Sequence, residues 1–237
     1  MRAVIQAGGI GSRLRPYTTV VPKPLMPVGE MPILEIVIRQ LQRHGFRSLT
    51  ITVGHLAHLI RAFFGDGSKF GVDIDYVVED KPLGTIGAIS LVPRLDEPFL
   101  VMNADLLTDI DFRHLYCTHQ AQQALVTMAL YAKEYKIDFG VIETDETNRV
   151  LKCAEKPVLN YLINMGVYVI SPSVLQTIPK GRYYNMTDVI ERLIPEEHGV
   201  YGYRFSGTWM DLGKVDDFDR VAAQFQHLAE VADARIP

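Results

Sequence analysis

The segment Gln6-Ala7-Gly8-Gly9-Ile10-Gly11-Ser12-Arg13-Leu14-Arg15-Pro16 carries the densest chemistry in the chain. Three glycines within four residues let the backbone turn tightly and approach a ligand with no Cβ in the way. Successive N–H groups in such a turn form an anion-binding concavity. Leu14 stands where the dinucleotide fingerprint needs its third glycine, and no Gly-Lys-Ser/Thr completes a Walker loop. Arg13, Arg15 and Lys23 follow closely. Arg grips phosphate oxygens bidentately, while Lys acts as a point charge. Together they suit a triphosphate. Pro16, Pro22, Pro24 and Pro27 forbid a continuous helix and predict an extended connection.

Such a loop needs a sheet behind it. Ala3–Gln6, Leu49–Val53, Ile74–Val78, Phe99–Asn103 and Leu125–Leu130 read as short buried strands. Between them, Ile33, Val37 and Leu41 recur at helical spacing before Gly45, and Leu56 to Phe64 do so before Gly65. Asp111 is placed to cap a helix running to Gln120. This β-α-β-α order predicts an α/β fold, a Rossmann-like, mostly parallel sheet flanked by helices. The second half changes character. Phe139–Ile142 and Arg149–Ala154 flank a polar turn and read as a hairpin, and Leu162–Ile170 is a long apolar strand. Helices are expected near Pro172–Thr177 and Thr187–Ile194, and a last amphipathic one carries Val215, Phe218, Phe225 and Leu228.

The 237 residues are 48% hydrophobic and 22% charged, which excludes a disordered chain. A net charge of −4 argues against a general nucleic-acid binder. No apolar run approaches a membrane span, and Met1–Gln6 is too short for a signal peptide, so the cytoplasm is the expected compartment. Cys117 and Cys153 make no CxxC; two buried free thiols are expected, with one disulfide between them as the alternative. No repeat and no linker rich in Pro, Gly or Ser appears, so one domain with two lobes is expected over 1–237, without a C-terminal β-helix.

The glycine segment, continuing through Pro22-Lys23-Pro24, resembles the sugar-1-phosphate nucleotidyltransferases. That family typically carries Leu-Ala-Gly-Gly-x-Gly-Thr-Arg-Leu-x-Pro followed by Pro-Lys-Pro. Here Ser12 replaces the Thr and Gln6 the Leu. Further matches follow in order: Glu79 to Ala88, Val101-Met102-Asn103-Ala104-Asp105, Phe139-Gly140-Val141, Glu155-Lys156-Pro157, Asn164-Met165-Gly166-Val167-Tyr168 and Trp209-Met210-Asp211-Leu212-Gly213. The short mannose-1-phosphate guanylyltransferase-like members look most similar.

The resemblance implies that an NTP and a sugar-1-phosphate, mannose-like or heptose-like, give an NDP-sugar and pyrophosphate. It implies a nucleotide-binding half at about 1–120, a smaller sugar-side β lobe at about 121–213 and a terminal helix at 214–230. Gln6, Ala7, Gly8, Gly9, Gly11, Ser12, Arg13, Lys23, Glu79, Gly84 and Asn103 would contact the nucleotide. Gly140, Glu155, Lys156 and Asn164 would face the sugar phosphate. Asp105 and Asp211 would hold Mg²⁺. Arg13 and Lys23 would complete the catalytic set. Glu79 stands where thymidylyltransferases of the family usually have Gln. A carboxylate accepts both donors of guanine's pairing edge, so GTP is favoured. UTP, dTTP or CTP with glucose-1-phosphate or a cyclitol phosphate is the alternative. An inactive sugar-nucleotide-binding regulator is a further one. Related proteins are often oligomers, which makes a homo-oligomer compatible with the sequence.

Other signals read as structural. Asp109-Ile110-Asp111 matches the DxD of glycosyltransferases, but Asp111 is expected to cap a helix and Asp109 to sit in a turn. His55 and His58 suggest a surface pair, with no third ligand evident, and Trp209 is expected to pack rather than stack on a base.

Overall fold

Ala3, Val4 and Ile5 are wholly buried. A strand covered on both faces must lie inside a sheet sandwiched by helices. The computed structural model describes residues 1–213. The chain opens with β1 (Arg2–Ala7). A short pair, β2 (Pro27–Val28) and β3 (Met31–Pro32), leads into α1 (Ile33–Arg43), β4 (Ser48–Val53), α2 (Ala57–Phe64) and β5 (Asp73–Val78). Next come β6 (Phe99–Asn103), β7 (Leu106–Thr108) and α3 (Phe112–Gln122). The second half holds β8 (Val126–Lys136), β9 (Val141–Thr144), β10 (Val150–Ala154), β11 (Val158–Ile170), α4 (Met186–Leu193), β12 (Val200–Phe205) and β13 (Trp209–Asp211).

The main sheet has the order β12-β8-β11-β6-β1-β4-β5. β6, β1, β4 and β5 run parallel. β11 is antiparallel to both β6 and β8, and β12 is parallel to β8. Strand alternation divides the core. Ala3 and Ile5 pack with Leu34, Val37 and Leu41 of α1, Ile60 and Phe64 of α2, and Phe112 and Leu115 of α3. Val4 points the other way, toward Ile86, Ile89 and the Met186, Val189 and Leu193 face of α4. Each such fully buried side chain contributes roughly 1.5–3 kcal/mol before entropy is counted.

The helix ends follow local chemistry. Past α1, Gly45 takes φ 85°, and Phe46 N–H closes on the Leu41 carbonyl at 3.0 Å. Gly65 ends α2 with φ 57°. The Asp111 side chain accepts from His114 N–H at the start of α3, as its position predicts. Asn185 and Asp188 form a reciprocal capping box on α4.

Four expectations need correction. The segment after the glycine turn is not extended: it folds into three 3-10 turns, Ser12–Leu14, Tyr17–Thr19 and Lys23–Leu25. Proline's fixed φ suits such turns as well as an extended chain. Cys117 and Cys153 are free but exposed, one on α3 and one on β10. The strands β8 and β11 outrun their apolar cores, because their far ends pair only with each other from Lys136↔Val158 to Ala132↔Leu162. That ribbon and the separate β9–β10 hairpin form the smaller β lobe. Pro172–Thr177 is a 3-10 segment rather than a full helix. The helix expected at 214–230 lies outside the described residues. Among the described residues no β-helix follows the sheet, and no helix is long and apolar enough to cross a membrane.

Candidate functional site

In an open parallel sheet, ligands bind beyond the carboxyl ends of the strands where the strand order reverses. That point lies between β1 and β6, whose neighbours run off in opposite directions. The two strands end in register, Gln6 beside Asn103, and Ala104 N–H bonds the Gln6 carbonyl at 3.0 Å. The glycine turn leaves β1 and the Asn103-Ala104-Asp105 corner leaves β6 at this same edge.

A cavity of about 370 Å³ opens there. Gln6, Ala7, Gly8, Gly9, Gly11, Ser12, Arg13, Lys23, Glu79, Gly84, Asn103 and Asp105 all line it, together with Pro82, Thr85 and Tyr183. The nucleotide-side residues singled out in the sequence therefore share one space. Gly11 has φ 65°, and a Cβ there would lie 2.9 Å from Thr18 Cγ2. The buried Thr18 hydroxyl donates to the Gly11 carbonyl at 2.9 Å, bracing the turn. Gly54, past β4, lets the turn come close: a Cβ there would meet the Gly8 carbonyl at 2.8 Å. Arg15 is exposed and does not line the cavity.

Lys23 is only 8% exposed, and its ammonium pairs with the Asp105 carboxylate. The Lys23 stem runs against the glycine turn, with its Cβ 3.4 Å from where a Gly11 Cβ would sit. Arg13 reaches the far end of the described chain: a Cβ on Gly213 would lie 3.2 Å from Arg13 Nη1. At the other end of the cavity, Glu79 Oε2 accepts from Leu83 N–H at 3.2 Å. Burial raises the Glu79 carboxyl above its ordinary range, with the Leu83 N–H and the Thr52 side chain partly opposing.

A second cavity, of about 280 Å³, adjoins the first and shares Gln6, Thr85 and Asn103 with it. Asn164 and Asp211 line this one, with Trp209, Thr187 and Gly166. β13 pairs with β7 so that Asp211 stands opposite Leu106, and Leu212 N–H bonds the Asp105 carbonyl at 3.2 Å. Both carboxylate-bearing segments therefore meet at one corner. Gly166, at φ 74°, lets the bulge in β11 press on Asn103, where a Cβ would sit 2.7 Å from Asn103 Nδ2. Asn164 is held by Tyr168 OH and by Gly166 N–H. Trp209 donates to the Met165 carbonyl at 3.1 Å and packs on Tyr131, a packing role as expected.

Gly140, Glu155 and Lys156 line neither cavity. They sit together at the foot of the β9–β10 hairpin, with Glu155 Oε2 3.2 Å from a Gly140 Cβ position, and Glu155 and Lys156 are exposed. Asp109 accepts from Thr208 N–H and Asp111 caps α3, so the DxD pair is occupied structurally. His55 is bonded to the Thr18 carbonyl at 3.0 Å. Sequence reasoning missed Thr18, Gly54 and Tyr183, and held Thr85 only as part of the matched segment from Glu79 to Ala88. A lone Thr, Gly or Tyr carries no spacing signal; each matters only through a partner remote in sequence.

Among the described residues no group of three or more His, Cys, Asp or Glu is placed to hold a metal. Asp105 and Asp211 supply hard oxygen donors at one corner, and Mg²⁺ is commonly held by one or two carboxylates with substrate phosphates completing the octahedron. The donor set fits that mode.

The fold and site define a doubly wound α/β protein with two adjoining cavities at its switch point. The chain belongs to the nucleotidyl transferase family, whose sequence model matches residues 2–227. It is 33% identical over 238 residues to a UTP–glucose-1-phosphate uridylyltransferase of Synechocystis sp., covering 92% of this chain and 61% of the relative. It is 34% identical over 228 residues to a mannose-1-phosphate guanylyltransferase of Mycobacterium tuberculosis, covering 93% of this chain and 63% of that protein. The chain thus spans somewhat under two thirds of the length of these curated relatives. A Bacillus anthracis crystal structure in complex with sucrose, described as a glucose-1-phosphate thymidylyltransferase, superposes with a TM-score of 0.77 at 26% identity, covering 94% of this chain and 95% of that one.

Proposed function

We propose that the protein joins an NTP, preferentially GTP, to a mannose-like or heptose-like sugar-1-phosphate, giving an NDP-sugar and pyrophosphate. The observation that carries this is the single cavity in which the glycine turn, Arg13, Lys23 and Asp105 meet, opening beside the cavity of Asn164 and Asp211. One phosphate-bearing substrate fits each, and Gln6, Thr85 and Asn103 form the shared wall.

A sugar phosphate is already largely ionised at neutral pH, its second pKa being about 6. No Ser, Cys or His nucleophile is needed. A phosphate oxygen attacks the α-phosphorus in line; that P–O bond forms as the bond to the β-phosphate oxygen breaks, and pyrophosphate departs. The chain's work is positioning and charge neutralisation. N–H groups of the glycine turn cradle the triphosphate, and Arg13 and Lys23 offset charge on it and on the leaving pyrophosphate. Asn164 receives sugar hydroxyls in the second cavity; Glu155 and Lys156, which the resemblance assigns to the sugar and its phosphate, stand on the exposed hairpin outside both cavities. Asp105 and Asp211 would hold Mg²⁺, which would supply Lewis-acid charge at the reacting phosphates.

Glu79 sets the base. Ionised, it accepts guanine's N1–H and N2–H₂, whereas uracil and thymine offer one donor flanked by acceptors. The second reading is use of UTP or dTTP: burial raises the Glu79 carboxyl, so it takes up a proton more readily on acidification than an exposed carboxylate does. A matrix of NTPs against sugar-1-phosphates with Mg²⁺, read by pyrophosphate release, tests both. Dominant use of GTP supports the ionised form; dominant use of UTP or dTTP overturns it. Nucleotide binding with no pyrophosphate from any pair would identify a regulator instead.

A further inference from the structure

Lys23 lies between two anion-holding surfaces of one cavity. Its stem rests against the glycine turn at Gly11, while its ammonium pairs with the Asp105 carboxylate. The Lys23 side chain is about nine-tenths buried and Asp105 is partly so, which makes the pair a desolvated one. An ammonium on a four-carbon stem is a mobile point charge. Lys23 and the glycine turn line the same cavity, so an anion bound in that turn would share the space with the ammonium.

We infer that Lys23 is a placeholder for the metal in the ligand-free protein, covering the Asp105 carboxylate until a nucleotide triphosphate draws its ammonium away. This rests on the metal role proposed for Asp105. A divalent ion meeting the free protein would have to displace a buried ammonium from its own ligand, and Mg²⁺ sheds its waters reluctantly. Once phosphates occupy the glycine turn, they offer Lys23 a competing partner with more charge. Asp105 is then released at the moment when phosphate oxygens are present to complete the coordination. The ion and the nucleotide therefore arrive together, and the free protein does not hold an ion that would attract phosphates in an unproductive register.

The test uses the full chain with Mn²⁺ alone and no nucleotide, reading free Mn²⁺ by its EPR signal. Wild type should bind weakly. Lys23→Met should bind Mn²⁺ about ten- to a hundredfold more tightly, because removing one charge near a partly buried carboxylate changes its cation affinity on that scale. Adding Asp105→Asn to Lys23→Met should abolish the gain. Lys23→Gln, which keeps a polar end, serves the same purpose if the Met variant does not fold. Equal Mn²⁺ affinity in wild type and the Lys23 variants would overturn the placeholder role. A gain that survives Asp105→Asn would overturn it as well, by moving the ion elsewhere. Pyrophosphate release by the wild type, measured separately, reports on the nucleotidyl-transfer reading whichever way the Mn²⁺ titrations fall.

Discussion

A Cβ on Gly8 would fall 2.2 Å from Glu79 Oε1, so the glycine turn and the Glu79 carboxylate are fitted to each other. Glu79 N–H bonds the Val53 carbonyl at 2.8 Å, which fixes its backbone at the end of β5. Gly8 is thus demanded by a remote side chain and not by a left-handed torsion. Gly8→Ala should fold, because the long Glu79 side chain can shift aside. It should lower kcat/KM for the preferred NTP by about tenfold or more, since a displaced base-reading group costs a charged hydrogen bond. Steady-state kinetics beside a thermal melt would check this; unchanged kinetics would remove Glu79 from the base site.

Glu79→Gln should shift preference from GTP toward UTP or dTTP by about 10- to 100-fold, the worth of one charge-assisted hydrogen bond. The pH dependence has a definite sign. Burial raises the Glu79 carboxyl, so lowering the pH protonates it sooner than an ordinary carboxylate. GTP preference in the wild type should therefore fall as pH drops, and the Gln variant should show no such trend.

Lys23→Ala should cut turnover by about 10²- to 10³-fold with the fold intact, as expected for loss of a group that offsets charge in the transition state. Near-normal turnover would refute that role. Because the variant also leaves Asp105 without its ion-pair partner, its circular dichroism and melting point should be compared with wild type first.

Asp211→Asn should raise the Mg²⁺ concentration needed for half-maximal activity by at least about tenfold, since it removes one of two carboxylates at the β7–β13 corner. An unchanged metal titration would count against Asp211 as a ligand.

His119 links folding to pH. It is 1% exposed, and burial lowers its pKa from the ordinary 6.5 to about 4. Ser171 spends its hydroxyl proton on the Ala124 carbonyl, so it accepts from His119 Nε2–H, and Thr127 donates to Nδ1. The ring is neutral in the fold. Between about 6.5 and about 4 the unfolded chain therefore binds the extra proton. The His119 contribution is complete above pH 6.5 and is progressively lost on acidification toward pH 4. Urea midpoints at neutrality and at about pH 5 should diverge less in His119→Gln than in wild type.

The sequence by itself determined whatever depends on near neighbours. Apolar runs at Ala3–Gln6 and Phe99–Asn103, helical spacing before Gly45 and Gly65, the Asp111 cap and the glycine turn all appear where they were read. Burial periodicity and capping are local, and they leave their marks within a few residues. Only the tertiary structure decided who faces whom. Lys23 finds Asp105 across 82 residues, Gly8 is shaped by Glu79, and Gln6 donates to the Thr85 carbonyl on the wall between two cavities. It also turned Cys117 and Cys153 outward and coiled the proline-rich segment into 3-10 turns. These outcomes depend on strand order and register, which join distant segments at one sheet edge and which no local pattern encodes.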